Sequence, residues 1–178
     1  MNQAEPDAAY SQVAKIFHWL VVALLVVQFT IAWTMPDVGR GTRPVGLVGW
    51  HLTVGTTILA VVALRFVWRL THPAPSPPSD LPTALALVSR ATHYGLYALL
   101  FVLPLIGWAN ASARDWPVKL FGFIPLPHLV QAGSPLGRQM GDIHATTALV
   151  LLGLIALHVT GALYHGFYLR DRTLQRML

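Results

Sequence analysis

Four long apolar stretches govern what this 178-residue chain can become. They run from about Ala14 to Thr34, Leu47 to Leu70, Leu85 to Ala109 and Ile143 to Leu169. Each is long enough to cross ~30 Å of hydrocarbon as a helix of about 20 residues. Lipid offers backbone N–H and C=O groups no water to bond, so a spanning segment must be a helix or a strand of a closed barrel. Four strands cannot close such a barrel. The expected fold is an all-α membrane protein, one domain over residues 1–178 forming a four-transmembrane-helix bundle. Pro104, inside the third stretch, predicts a kink. Composition agrees: 11% of residues are charged and mean hydropathy is +0.56, whereas soluble domains carry about 25% charge. An ordinary soluble enzyme is excluded. Beside four spans there is no room for a nucleotide-binding domain of roughly 100 residues.

The connections differ in kind. Thr34 to Gly46 reads as a Gly/Pro turn region, and His72 to Pro82 as a short extended Pro-rich linker. Asn110 to Asp142 is longer and only weakly polar, and its WPVKLFGFIPLPHLV is expected to lie along the membrane surface between helices 3 and 4. The N-terminal MNQAEPDAAYSQVAK is acidic before Lys15 and does not read as a removable signal. The net charge of +5 does not indicate nucleic acid, because the basic residues sit singly at the ends of apolar runs. With both termini cytoplasmic, that side holds Lys15, Arg65, Arg69, Arg90, Arg170, Arg172 and Arg176. The other side holds Arg40, Arg43, Arg114, Lys119 and Arg138. The bias of seven against five favours this orientation.

No cysteine is present, which excludes disulfides, thiolate-held iron–sulfur clusters and covalent haem attachment through a CxxCH motif. Eight histidines remain. His18, His51, His93, His144 and His158 lie in or at the ends of spans, and His165 sits nearer an interface. Ionisable groups inside lipid are costly and mark function. In an alternating bundle His18 falls near the cytoplasmic face, and His51 and His144 near the opposite one. His158 follows His144 by 14 residues, a rise of ~21 Å that ends within roughly 40° of whole turns. One helix therefore carries two histidine levels on one face. His51 meets His144 at the outer level, and His18 meets His158 at the inner one. A His18–His165 pair is also reachable by depth, but it separates the levels by ~31 Å.

Paired neutral imidazoles on facing helices suit axial ligation of haem b, at two haems per chain. Zinc fits less well, since structural sites gather four ligands at one level. Proton relays generally add carboxylates. Gly55 and Gly161 would let a flat macrocycle approach, or would serve ordinary helix packing. Trp19, Tyr94 and Tyr97 read as interfacial or cofactor-packing aromatics, and His72 and His128 as loop residues.

From about Tyr10 onward the chain resembles the bacterial cytochrome b561 family of di-haem inner-membrane cytochromes. The resemblance rests on FHWL with His18, TRPVGLVGWH with His51, the Arg65/Arg69 segment before HPAPSPP, and RATHYGLYALLFVLPLIGWA with His93. It continues through WPVKLFGFIPLP, GDIH with His144, and LHVTGALYH with His158 and His165. It implies a bundle enclosing two b-type haems, with iron ligands His18, His51, His144 and His158, and His93 and His165 as quinone-binding candidates. The branch it points to oxidises periplasmic superoxide and reduces ubiquinone. Arg43, Lys119 and Arg138 are then anion-steering candidates at the outer mouth, where the five cations face Asp37, Asp115 and Asp142 for a net +2. The same mouth would also suit an acidic protein or haem propionates. The alternative function is an electron-transfer subunit linking the quinone pool to a dehydrogenase or a periplasmic redox protein. A transporter is disfavoured, since no repeat or broken helix pair is present.

Overall fold

The computed structural model describes residues 9–39, 41–73, 75, 82–170 and 173–178. Arg40, Arg172 and most of the Pro-rich linker lie outside the described residues. Among the described residues, four helices are long and apolar enough to cross a membrane. α1 covers Gln12–Thr34, α2 Gly46–Thr71, α3 Thr83–Ala113 and α4 Pro135–Leu163. A six-residue π-helical turn, Tyr164–Leu169, prolongs α4.

Local chemistry sets the helix ends. Ser11 caps α1 by accepting from the Ala14 N–H at 3.3 Å. Ser134 does the same for α4, accepting from Gly137 at 3.3 Å with Pro135 in the first turn. That cap starts α4 well before Ile143, because the polar GRQMGD stretch is helical although it is not apolar. α3 likewise runs to Ala113 and continues through Pro104.

Backbone packing links α1 to α2, α2 to α3 and α3 to α4 in sequence. The interior follows that order. α2 contributes Val54, Ile58, Val61 and Val62 and α3 contributes Leu100 and Leu103, whereas α1 and α4 add only Val21, Ile31 and Leu151. The flanking helices leave large apolar side chains uncovered, among them Val26 (63% exposed), Trp33 (68%) and Leu149 (67%). Soluble monomers do not leave such continuous apolar faces in water. Here lipid covers them.

The segment between α3 and α4 folds back onto the bundle and does more than lie along its surface. Lys119–Leu120 (β1) pairs antiparallel with Ile124–Pro125 (β2). Phe121 and Gly122 both take positive φ at the turn, as a tight hairpin requires. Trp116 and Val118 are buried against Val48 and Ala111. Thr56 of α2 donates to the Lys119 carbonyl at 3.0 Å. Buried Ser112 donates to the Trp108 carbonyl at 2.9 Å and accepts from the Leu129 N–H at 3.1 Å. This is the hairpin end of the bundle.

The opposite, terminal end is tied by the last residues. Arg170 turns the chain with φ +51°. Trp19 Nε1 then donates to the Met177 carbonyl at 3.0 Å, and Lys15 Nζ to that of Leu178 at 2.7 Å. Trp19 is thus a clamp for the C-terminal segment.

Two glycines of α4 distinguish packing from propensity. A Cβ on Gly137 would fall 2.5 Å from the Ala113 Cβ and 2.9 Å from Val130, while one on Gly153 would meet nothing within 4 Å. Gly137→Ala is expected to cost about 1–3 kcal/mol through overpacking. Gly153→Ala is expected to gain up to about 1 kcal/mol through helix propensity. Circular-dichroism melts in detergent should move in opposite directions; a common direction would contradict this account of α3–α4 packing.

Candidate functional site

Six of the eight histidines lie on the helices or the π-helical turn, and four of them form two facing pairs. At the hairpin end the rings of His51 (α2) and His144 (α4) have centres 5.9 Å apart and planes at 79°. At the terminal end His18 (α1) and His158 (α4) lie 6.3 Å apart at 66°. An imidazole nitrogen binds a first-row metal at about 2.0–2.1 Å and sits ~1.1 Å from its ring centre, so rings flanking one iron have centres about 6.3 Å apart. Both pairs match that separation. Among the described residues no group of three His, Cys, Asp or Glu side chains is placed to hold a metal ion. The donor sets are pairs of neutral imidazoles, the chemistry of a bis-histidine haem.

The surroundings of the rings support the fit. His144 Nδ1–H donates to the Leu103 carbonyl at 3.0 Å, which leaves Nε2 with its lone pair; such a second bond fixes both tautomer and ring orientation. Gly107 makes this possible. A Cβ there would fall 2.9 Å from His144 Cε1 and 3.1 Å from Nδ1. At His51 the Gln28 amide donates to the backbone carbonyl at 3.2 Å and lies 3.3 Å from Nε2. Gly55 leaves room for that amide, since its Cβ would be 3.3 Å from Gln28 Nε2. A Cβ on Gly161, one turn beyond His158, would meet nothing within 4 Å. His18 Nδ1, His51 Nδ1 and Gln28 Oε1 are buried without a protein hydrogen-bond partner. Buried polar groups in folded proteins are nearly always satisfied, so these side chains hold bonding capacity that the described chain does not use.

A third histidine joins the terminal-end pair. The His93 ring on α3 lies 5.1 Å from that of His158 at 83°. Its Nδ1 is 2.7 Å from the Ser89 carbonyl, and it donates there, so Nε2 is the accepting nitrogen. His165 sits in the π-helical turn with its ring edge-on to Tyr164 at 6.4 Å. Irregular π turns inside helices recur at functional sites. The side chains of Arg43, Lys119 and Arg138 are all exposed at the hairpin end. Arg114, by contrast, is engaged: it donates to the Asn110 side chain at 3.1 Å and the Gly39 carbonyl at 3.1 Å. His128 lies 3.9 Å from Asp115, and His72 stacks on Trp68 with centres 3.7 Å apart. Both stand outside the histidine pairs.

Four apolar spans and two intramembrane histidine pairs define a membrane cytochrome of the b type. Residues 9–178 match the family described as prokaryotic cytochrome b561, and the chain belongs to that family, whose members bind b-type haem, carry electrons and reside in the inner membrane as multi-pass proteins. Among its relatives is a probable superoxide oxidase CybB of Yersinia pestis, 33% identical over 176 residues and covering 95% of both chains. Cytochrome b561 homolog 2 of Escherichia coli strain K12 is 27% identical over 185 residues, covering 100% of this chain and 95% of the relative. Cytochrome b562 of Cereibacter sphaeroides is 23% identical over 177 residues, covering 97% and 96%.

Gly107→Ala tests the seat of His144. The added methyl is expected to push the ring away from Leu103 and cost about 1–3 kcal/mol, read as a lower melting temperature in detergent. An unchanged melting temperature would show that the ring is not held as described.

Proposed function

We propose that this chain oxidises periplasmic superoxide and reduces ubiquinone, with both termini in the cytoplasm and the hairpin end outside. The observation that carries the reading is the pair of facing histidines at each of two levels on α4, 14 residues apart. Two haem b groups, one between His51 and His144 and one between His18 and His158, supply one-electron steps linking the two membrane faces. The relative named as a probable superoxide oxidase and the exposed cations at the hairpin end support superoxide as donor.

Arg43, Lys119 and Arg138 draw a small anion toward the His51–His144 level, raising its encounter rate. Two superoxide ions each lose one electron and leave as O2. Ubiquinone takes up two electrons and two protons to become ubiquinol at the His18–His158 level. His93 suits that site, because its Nδ1 is committed to Ser89 and its Nε2 is left to accept from a hydroxyl of the ubiquinol product. His165, one helical extension further, is the second candidate for delivering a proton from the cytoplasm.

Purified protein is expected to contain two haem b per chain by pyridine haemochrome assay. His51→Ala and His144→Ala should each remove one haem, and His18→Ala and His158→Ala the other. Retention of both haems in His158→Ala, with loss in His165→Ala, would reverse the inner assignment. Stopped-flow mixing with superoxide should reduce the protein faster than spontaneous dismutation, with ubiquinol formed when ubiquinone is present. The rate should fall as salt rises. Neutralising Arg43, Lys119 and Arg138 together should lower it roughly tenfold at low salt. Slow reduction, or no ubiquinol, would favour the electron-transfer subunit serving another redox protein.

A further inference from the structure

α2 and α4 run in the same direction and carry matched ladders. His158 follows His144 by 14 residues on α4, and Arg65 follows His51 by 14 residues on α2. The same rise of ~21 Å and the same facing apply to both. The terminal-end level therefore receives one side chain from every helix: His18, Arg65, His93 and His158. Arg65 is half-buried, and its guanidinium lies 5.6 Å over the Tyr97 ring, a favourable cation–π placement. Its Cα stands at the level of His18 and His158 along the bundle. At the other pair the hydrogen-bonding neighbours among the described residues are uncharged: the Gln28 amide lies 3.3 Å from His51 Nε2, and His144 Nδ1 donates to the Leu103 carbonyl at 3.0 Å. Two other cations of the terminal end are engaged elsewhere. Lys15 donates to the Leu178 carbonyl at 2.7 Å, and Arg69 lies 5.9 Å over the Tyr10 ring. Among the described residues no carboxylate forms an ion pair with Arg65.

We propose that Arg65 sets the direction of electron flow, by making the haem of the His18–His158 level the easier of the two to reduce. The inference rests on the two-haem reading above. An arriving electron is a negative charge, and a fixed cation beside it in a medium of low dielectric favours its stay. The hairpin-end level, ~21 Å away along the helices, receives little of this stabilisation. An electron entering at the hairpin end therefore moves toward the quinone level and is held there until a second arrives. No oxidant or reductant beyond superoxide and ubiquinone is needed.

The test is a reductive titration of purified holoprotein followed by visible absorbance. Wild type should show two one-electron steps, and the higher potential should belong to the haem retained in His144→Ala. Arg65→Gln should lower that step by about tenfold in equilibrium constant, about 59 mV for a one-electron couple, and leave the other step nearly unchanged. Arg65→Lys should keep most of the wild-type value. Equal shifts in both haems, no shift, or a higher potential for the haem retained in His158→Ala would overturn the proposal. Should Arg65→Gln lose its terminal-end haem, the wild-type order together with Arg65→Lys decides the matter. Two haems in reversed order count against Arg65 alone, whereas fewer than two haems per wild-type chain defeats the ligand pairing and this inference together.

Discussion

Hydrocarbon cannot satisfy a polar side chain, and the rest of this structure depends on that constraint. Each intramembrane histidine must find its partners inside the protein or on something the protein holds. Pairing neutral rings across facing helices brings no charge into lipid, and it leaves His18 Nδ1 and His51 Nδ1 with bonding capacity the described chain does not use. The Leu103 carbonyl then accepts from the His144 ring and the Gln28 amide lies beside the His51 ring, and the helices pack in the order that keeps the pairs facing. α2 supplies the largest share of the fully buried apolar side chains, and α1 and α3 pack further, partly buried ones against them.

Much of this could be read from the sequence, for physical reasons. Apolar length fixed the four spans, because the bilayer imposes a scale that soluble folds lack. Fourteen-residue spacing placed His144 and His158 on one face, because α-helical rise and twist are nearly invariant. Sequence patterns could not supply the rotation of one helix against another. Gln28 beside His51, Gly107 under His144 and His93 against His158 all depend on that rotation. Of these, only His93 carried a signal, as an ionisable residue near a span end. Gly107 looked like any small residue of a membrane helix, and Arg65 like an ordinary cation at the end of a span. The start of α4 was hidden because hydropathy follows lipid contact, and Pro135 to Asp142 form a helix above it. The buried start of the α3–α4 connection was hidden too, since a Trp116 against Val48 contact joins residues far apart in the chain.

The two levels share a plan and differ in their surroundings. The hairpin-end rings are held by a backbone carbonyl and an amide and lie beneath exposed basic side chains. The terminal-end rings lie among a third histidine, an arginine over tyrosine, and the π-helical turn that carries His165. Alike rings in unlike settings give a path with two distinguishable ends. That is the requirement for moving charge one way across a membrane.

Both ring pairs take one member from α4, which leaves the ribosome after α1, α2 and α3. While α1, α2 and α3 are already inserted and packed in sequence, each pair is still a single imidazole with no ring opposite. Until α4 is in place neither pair of rings is closed, and its arrival completes both at once. The Trp19 and Lys15 bonds to Met177 and Leu178 then fasten the first helix to the segment that follows α4.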